Sequence, residues 1–421
     1  MVLVRLSIKT HAYIYRYGTT NAHFVRRFSG IKNKIIAAAS STLVWFLIVA
    51  SCFDLSSFGL SESKNILLSY GTITNNEGLS KLRVVGILLK DSSNRTVKLA
   101  GFNVHSFHSW KVLQVSEEDI AWVKNNGFNA VRVVVYWSDI EKNKGVIDET
   151  FFLNYLDPLI NWCEKYRVYV IIDLHQWNWS PYWDGYGVPT FYVNMYPNSS
   201  DGMTQCALDF WAGVGPGAIA KQRFVEIWRY IANRYNSRNV IAAYDLFNEP
   251  YAFYNSYEYR YTFWPQVMKF FNEQLVPAIR AVDPNTIIIY DAFYEVDLNT
   301  LQAHENIVWG RSWYDYSAEN VGNYSSELYE SDIQSRLAEY TNQFFNQFNA
   351  PFIILEIGGD QFLGNNLQWF NDSLRIFENL TNNYGSFFQW CYGKDDSYGW
   401  VPLTSNFTDK PLVAILQKYA S

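Results

Sequence analysis

The chain has 421 residues, 49% of them hydrophobic and 18% charged, with a formal net charge of −6. That balance describes a globular protein with ample core, and it speaks against a nucleic-acid-binding surface, which needs clustered Lys and Arg. Four cysteines, at positions 52, 163, 206 and 391, are too few and too scattered for a disulfide framework or a zinc site, although one disulfide stays open with no pair selected.

In chain order, residues 1–55 form a basic region followed by a hydrophobic segment. Arg26, Arg27, Lys32 and Lys34 precede the uncharged run Ile35–Phe53, which is long enough to act as a signal or a membrane anchor with a cytoplasmic N-terminus. Val49-Ala50-Ser51-Cys52 also resembles a lipoprotein processing box, which would leave Cys52 lipidated. Residues 56–80 are rich in Ser, Asn and Gly and are expected to be a polar linker. The domain that follows, 81–421, is expected outside the cytoplasm, either secreted or tethered to the outer face of a membrane by that segment alone. Seven N-x-Ser/Thr sequons, at Asn94, Asn178, Asn198, Asn323, Asn371, Asn379 and Asn406, agree with that placement.

From Leu82 the pattern changes to short β-branched runs alternating with amphipathic stretches. LRVVGILL and TVKLAG, joined at Asp91-Ser92-Ser93-Asn94, suggest a hairpin capping a barrel floor. Eight strands are expected at 99–104, 130–135, 168–173, 240–247, 286–290, 306–311, 352–357 and 386–391. Most are apolar without alternation, as in strands covered on both faces. Helical patterns such as EEDIAWVKNNG, DPLINWCEKY and FVEIWRYIANRY lie between them. Eight strand–helix units predict an α/β fold of the (β/α)8 TIM-barrel class.

Chemistry in such barrels gathers at the C-terminal strand ends. Polar residues stand at those ends here: Asn103 and His105, Arg132 within its strand, His175, Asn248 and Glu249, Tyr290, Tyr314, Glu356 and Trp390. Glu249 follows AAYDLF between Asn248 and Pro250, and Glu356 follows FIIL three βα units later. A lone Glu at a strand end is ordinarily a helix cap or a surface charge. Asn-Glu-Pro after a buried strand, followed about a hundred residues on by an apolar strand ending in Glu, is far more specific. Two carboxyls about 5–5.5 Å apart across a barrel mouth can hydrolyse a glycoside with retention of configuration. The chain's 16 Trp, 31 Tyr and 29 Phe serve packing first, but they also suit a groove in which sugar faces stack on rings.

These motifs resemble glycoside hydrolase family 5, the cellulase and mannanase family, over about 99–400. The resemblance implies that Glu249 is the acid/base and Glu356 the nucleophile. It also implies that Asn248 contacts the sugar 2-hydroxyl, Arg132 supports the nucleophile, His175 is the strand-three histidine and Trp390 floors the subsite. The family's His-x-Tyr at strand six falls on Ser312 and Tyr314, or on Tyr314 and Tyr316 if the register slips by two.

The stretch from His175 to Phe224 is too long for a plain βα loop. Trp177 and Trp179 within it are expected as substrate platforms, and His105 as an active-site hydrogen-bonding group. The whole stretch is either a lid with its own small core or an aromatic wall over the groove. The expected substrate is a β-linked oligo- or polysaccharide, a β-1,4-glucan or mannan. The stretch with DLHQ and Gly187-Val188-Pro189 also resembles the family's glycolipid-cleaving branch. A non-catalytic sugar-binding barrel is a third reading, opposed by the intact Glu249, Glu356, Asn248 and Arg132. His105, His108 and His175 lack the spacing and companions of a metal hydrolase, so no metal and no cofactor are expected. A monomer is expected.

Overall fold

The computed structural model describes residues 78–105, 115–250, 257–292, 304–314, 323–359, 364–392 and 411–421. The chain from residue 77 onward is one compact unit. The apolar run at 35–53 lies outside the described residues, and among those described no helix is long and apolar enough to cross a membrane.

Two short antiparallel strands come first, β1 (Arg83–Val85) and β2 (Leu88–Lys90), paired Arg83 to Lys90. The hairpin therefore lies inside LRVVGILL and not across residues 91–94. Gly86, at φ +58°, occupies the first position of its two-residue turn, where a side chain would be strained. The Asp91–Asn94 segment forms a second turn, leaving a single bridge from Lys90 to Thr96.

Eight parallel strands close into the predicted barrel: β3 (Ala100–His105), β4 (Ala130–Tyr136), β5 (Tyr169–His175), β6 (Ile241–Asp245), β7 (Ile287–Asp291), β8 (Ile307–Trp313), β9 (Phe352–Gly358) and β10 (Ser386–Trp390). Helices pack outside it, among them α1 (Glu117–Asn125), α2 (Asp157–Tyr166), α3 (Ser200–Ala212), α4 (Gly215–Tyr235), α5 (Tyr257–Phe270), α6 (Ser326–Thr341), α7 (Asn366–Leu380) and α8 (Pro411–Ala420). Local sequence explains their ends. Ser116 and Asp119 form a capping box at the start of α1, and Gly213 at φ +70° terminates α3.

Alternation along the strands sorts side chains into two layers. Tyr169 and Ile171, Ile287 and Ile289, Ile353 and Leu355 join one buried cluster inside the barrel, with Leu82 and Leu89 of the hairpin region as its floor. Val170, Ile172, Ile288, Tyr290 and Ile354 join the larger cluster shared with the helices. Tyr290 thus leaves the expected strand-end set: it faces outward, and its hydroxyl donates to Asn272 Oδ1 at 2.8 Å. The inward parity, continued toward the C-terminal ends, delivers Arg132, Asp173, Asp245 and Asp291 to the space beneath the barrel mouth.

Candidate active site

Arg132 is the hub of that polar layer and is fully buried. Its Nε donates to Asp245 Oδ2 at 2.9 Å, Nη1 to Asn103 Oδ1 at 2.8 Å and to Glu356 Oε1 at 3.0 Å, and Nη2 to Asn248 Oδ1 at 2.9 Å. Nη2 also lies 3.1 Å from Asp173 Oδ2. One guanidinium thus serves three buried carboxylates and fixes the orientation of two amides. The planar fork of Arg is suited to this work and a Lys is not.

Glu356, at the end of β9, takes a second donor from Tyr314, whose hydroxyl lies 2.8 Å from Oε2. Tyr314 therefore occupies the expected strand-six position; Tyr316 lies outside the described residues. Ser312, where the resemblance would place a histidine, sits beside Glu249 and favours that group's ionised form. Among the described residues its hydroxyl nevertheless has no hydrogen-bond partner at ordinary length. Glu249 is reachable from the mouth, yet protein encloses it closely enough that burial raises its carboxyl above the usual range. Burial also pushes Glu356 up to about 7, with Glu249 adding to the rise while Arg132 and Tyr314 oppose it. Two enclosed carboxyls within electrostatic reach therefore each resist ionisation, and the charge of one opposes that of the other. The donor set decides where the charge sits. Glu356 has a guanidinium and a phenol in hydrogen-bond contact, so it is the carboxyl whose ionised form the site is built to stabilise.

His175 stacks on Trp390 with centroids 5.0 Å apart and planes 13° from parallel. Its Nδ1 lies 2.7 Å from Asp173 Oδ2, and its Nε2 lies 3.4 Å from Asn248 Nδ2. Burial holds the ring's pKa down to about 3, so it is neutral. The tautomer consistent with both neighbours has the proton on Nδ1, donating to Asp173. His105 is likewise held neutral by burial, packs edge-on to Trp390 at 5.9 Å and lies 3.5 Å from Tyr136 Oη. Trp390 thus forms a ring surface backed by two histidines. His108 lies outside the described residues, and among those described no group of acidic, His and Cys side chains could hold a metal.

The two tryptophans of the long βα segment part company. Trp177 is 49% exposed, as a platform requires. Trp179 is not a platform. It is 1% exposed and packs against Phe210, Trp211 and Phe247. Positive φ angles at both Asn178 and Trp179 turn the chain between the two rings, so strand-like parity does not apply. Trp183, Tyr192, Tyr196 and Trp211 are buried as well. The segment is a lid with its own core, tied down where Glu141 accepts from Tyr192 Oη at 2.9 Å and from Arg223 Nε at 3.0 Å. Cys163, Cys206 and Cys391 are buried, and no disulfide joins them to one another.

The residues missed from sequence are Asp173, Asp245, Asp291 and Gln176. A signal was present. VIID, AYD and IYD put an Asp two residues after an inward apolar side chain in three successive strands.

A closed parallel barrel with two enclosed carboxyls at its C-terminal mouth belongs among the (β/α)8 barrels that carry a carboxylate-pair site. The chain is a member of glycosyl hydrolase family 5, whose cellulase model matches residues 90–396. Endoglucanase C of Acetivibrio thermocellus is 27% identical over 139 residues, 32% of this chain and 33% of that protein. An endoglycoceramidase of Hydra vulgaris is 24% identical over 240 residues, 47% of this chain and 44% of that one. The chain thus spans a third to under half of the length of these relatives. Endo-glycoceramidase II from Rhodococcus sp., solved with a five-membered iminocyclitol, superposes with a TM-score of 0.66 at 20% identity, covering 79% of this chain and 81% of that one.

Proposed function

We propose that this chain is a retaining β-glycosidase in which Glu249 is the acid/base and Glu356 the nucleophile. The observation that carries the reading is the asymmetry of the pair: Glu356 alone is held by both Arg132 and Tyr314. In the first displacement Glu249 gives its proton to the glycosidic oxygen while Glu356 attacks the anomeric carbon, forming a glycosyl ester. Glu249, now a carboxylate, takes a proton from the incoming water, whose oxygen displaces Glu356. Asn248, His175 and Trp390 line the subsite of the sugar under attack, with His105 behind the Trp390 ring, and Trp177 offers a platform at its edge. No cofactor enters the cycle.

The proposed substrate is a β-linked glucan or a related polysaccharide, in line with the family match and the endoglucanase relative. A second reading, hydrolysis of a β-glycosylated ceramide, is favoured by one observation. Most rings of the lid face its own core and Trp177 is the exposed one among them, which leaves fewer stacking platforms than a long polymer groove would use. The domain is proposed to act as a monomer outside the cytoplasm, secreted or held at a membrane by residues 1–55, with 56–80 as linker. Exposed sequon residues at Asn94, Asn198, Asn323 and Asn379 support that location.

Product analysis on β-glucan, mannan, xylan and a glycosphingolipid tests the reading, with Glu356→Gln as the blank. Oligosaccharide release from a polymer, lost in the variant, is expected. Release of intact glycan from the lipid would establish the second reading, and turnover by Glu356→Gln at the wild-type rate would overturn the nucleophile assignment.

A further inference from the structure

Glu249 adopts φ +40°, a left-handed conformation that costs a residue with a side chain about 1–2 kcal/mol. Such a conformation persists where the surroundings over-determine it, and here they act on both faces of its peptide. On one side Asp291 Oδ2, at the end of β7, accepts the Glu249 N–H at 2.7 Å. On the other, Gln176 Nε2 donates to Asn248 O at 3.1 Å and to Glu249 O at 3.0 Å, and Asn248 Nδ2 donates back to Gln176 O at 3.1 Å. Gln176 in turn belongs to the lid. Its Oε1 accepts the Trp179 N–H at 3.0 Å, and Trp179 is wedged into the lid core. The returning arm of the lid lies directly against it: a Cβ added to Gly187, at φ +124°, would meet Gln176 Cβ at 2.7 Å. Gln176 and Asp291 are both buried, and neither is needed to touch the sugar in the two displacements.

We propose that Gln176 and Asp291 are positioning residues for Glu249, clamping its peptide from opposite sides, and that Gln176 anchors this clamp in the lid so that the lid sets the reach of the acid/base. The inference rests on Glu249 being the acid/base. It differs from a general structural role in one respect. A displaced acid/base harms only those steps that need a proton moved.

Leaving-group dependence reads that distinction. Aryl β-glucosides, β-cellobiosides and β-lactosides are compared, and the series the wild-type chain cleaves best is used. A 2,4-dinitrophenolate departs without protonation, whereas a methylumbelliferyl or simple alkyl leaving group needs the proton. Gln176→Met and Asp291→Ala are expected to lose about 30- to 100-fold in kcat/KM on the poor leaving groups and less than about threefold on the dinitrophenyl glycoside, a part of the roughly 100- to 10,000-fold that general acid catalysis supplies in full. Added azide is expected to raise their kcat on the dinitrophenyl glycoside, where breakdown of the glycosyl-enzyme limits turnover. Azide attacks the anomeric carbon of the glycosyl-enzyme, the bond to Glu356 breaks with its electron pair, and a β-glycosyl azide forms without a base. Asp291→Asn, which keeps an acceptor oxygen, should recover most of the loss. Gly187→Ala disturbs the clamp from the lid side with both side chains in place, and should reproduce the same leaving-group dependence at smaller size. Glu249→Ala is the reference. If it lacks the pattern, the acid/base assignment itself fails. If Glu249→Ala shows the pattern while the Gln176, Asp291 and Gly187 variants lose activity equally on all leaving groups without azide rescue, or lose none, the positioning proposal is overturned.

Discussion

Tyr314→Phe removes one hydroxyl and little else. The lost contact is a hydrogen bond of 2.8 Å to Glu356 Oε2 inside a buried site. Hydrogen bonds to charged groups contribute about 1.5–3 kcal/mol, and one pKa unit corresponds to about 1.4 kcal/mol. Because the phenol donates to the ionised form, its loss raises the Glu356 carboxyl by about one to two units. Glu356 starts near 7 with the phenol in place, so the rise delays its ionisation to higher pH and narrows the active window from the acid side. The acid limb of kcat/KM should therefore shift to higher pH. Activity at pH 5 should fall by about tenfold or more relative to wild type, with the gap closing as pH rises until the basic limb intervenes. The assay is kcat/KM on a soluble aryl glycoside from pH 4 to 9, with thermal midpoints recorded alongside. An unshifted acid limb with a uniform loss at every pH would refute the reasoning and reduce Tyr314 to a packing residue.

Three further outcomes follow from the same geometry. Trp179→Ala should cost about 3–5 kcal/mol in denaturant unfolding, as for a buried aromatic ring, while Trp177→Ala should leave stability unchanged and raise KM; the reverse pattern would contradict the lid assignment. Arg132→Met strands Asp173, Asp245 and Glu356 without a cation and should destabilise by about 3–5 kcal/mol at pH 7, so a loss below about 1 kcal/mol would show that the polar layer is not organised around it. Glu356→Gln should stabilise the fold. The carboxyl's folded pKa of about 7 lies above its ordinary 4.5, so the native Glu binds its proton more tightly than the unfolded chain, and that stability is lost as pH rises toward 7. The advantage of Gln should thus grow between about pH 4.5 and 7 to roughly 3–4 kcal/mol and then level off, and a pH-independent difference would contradict burial of that charge.

The barrel was legible because its strands are apolar on both faces and its helices amphipathic, a pattern that survives without any knowledge of contacts. The pair of enclosed carboxyls at the barrel mouth was legible through Asn-Glu-Pro and the FIILE strand end. The hairpin was misplaced because Asp91-Ser92-Ser93-Asn94 has the stronger turn composition, while the turn that pairs strands depends on the single Gly86. Trp177 and Trp179 could not be told apart from sequence, since two left-handed residues in succession turn one ring outward and the other into the lid. Asp173, Asp245 and Asp291 were passed over for a different reason. Each ends an apolar strand, where a carboxylate is ordinary, and only closure of the barrel converts three such ends into a shared layer around one guanidinium. Gln176 acts through contacts with the backbone at positions 248 and 249, and side chain to backbone contacts across 72 residues leave no trace in a pattern of residue types.

The central claim, a covalent intermediate on Glu356, is tested most directly by trapping it. The chain is incubated with a 2,4-dinitrophenyl 2-deoxy-2-fluoro-β-glycoside of the series it cleaves, digested, and the labelled peptide sequenced by mass spectrometry. The fluorine slows both displacements and the activated leaving group keeps the first one fast enough to accumulate the ester. The account predicts one label per chain, carried on Glu356 within FIILEI, and absent from Glu356→Gln. A label on Glu249 or any other carboxylate, or turnover of unmodified substrate to the inverted anomer, would contradict it.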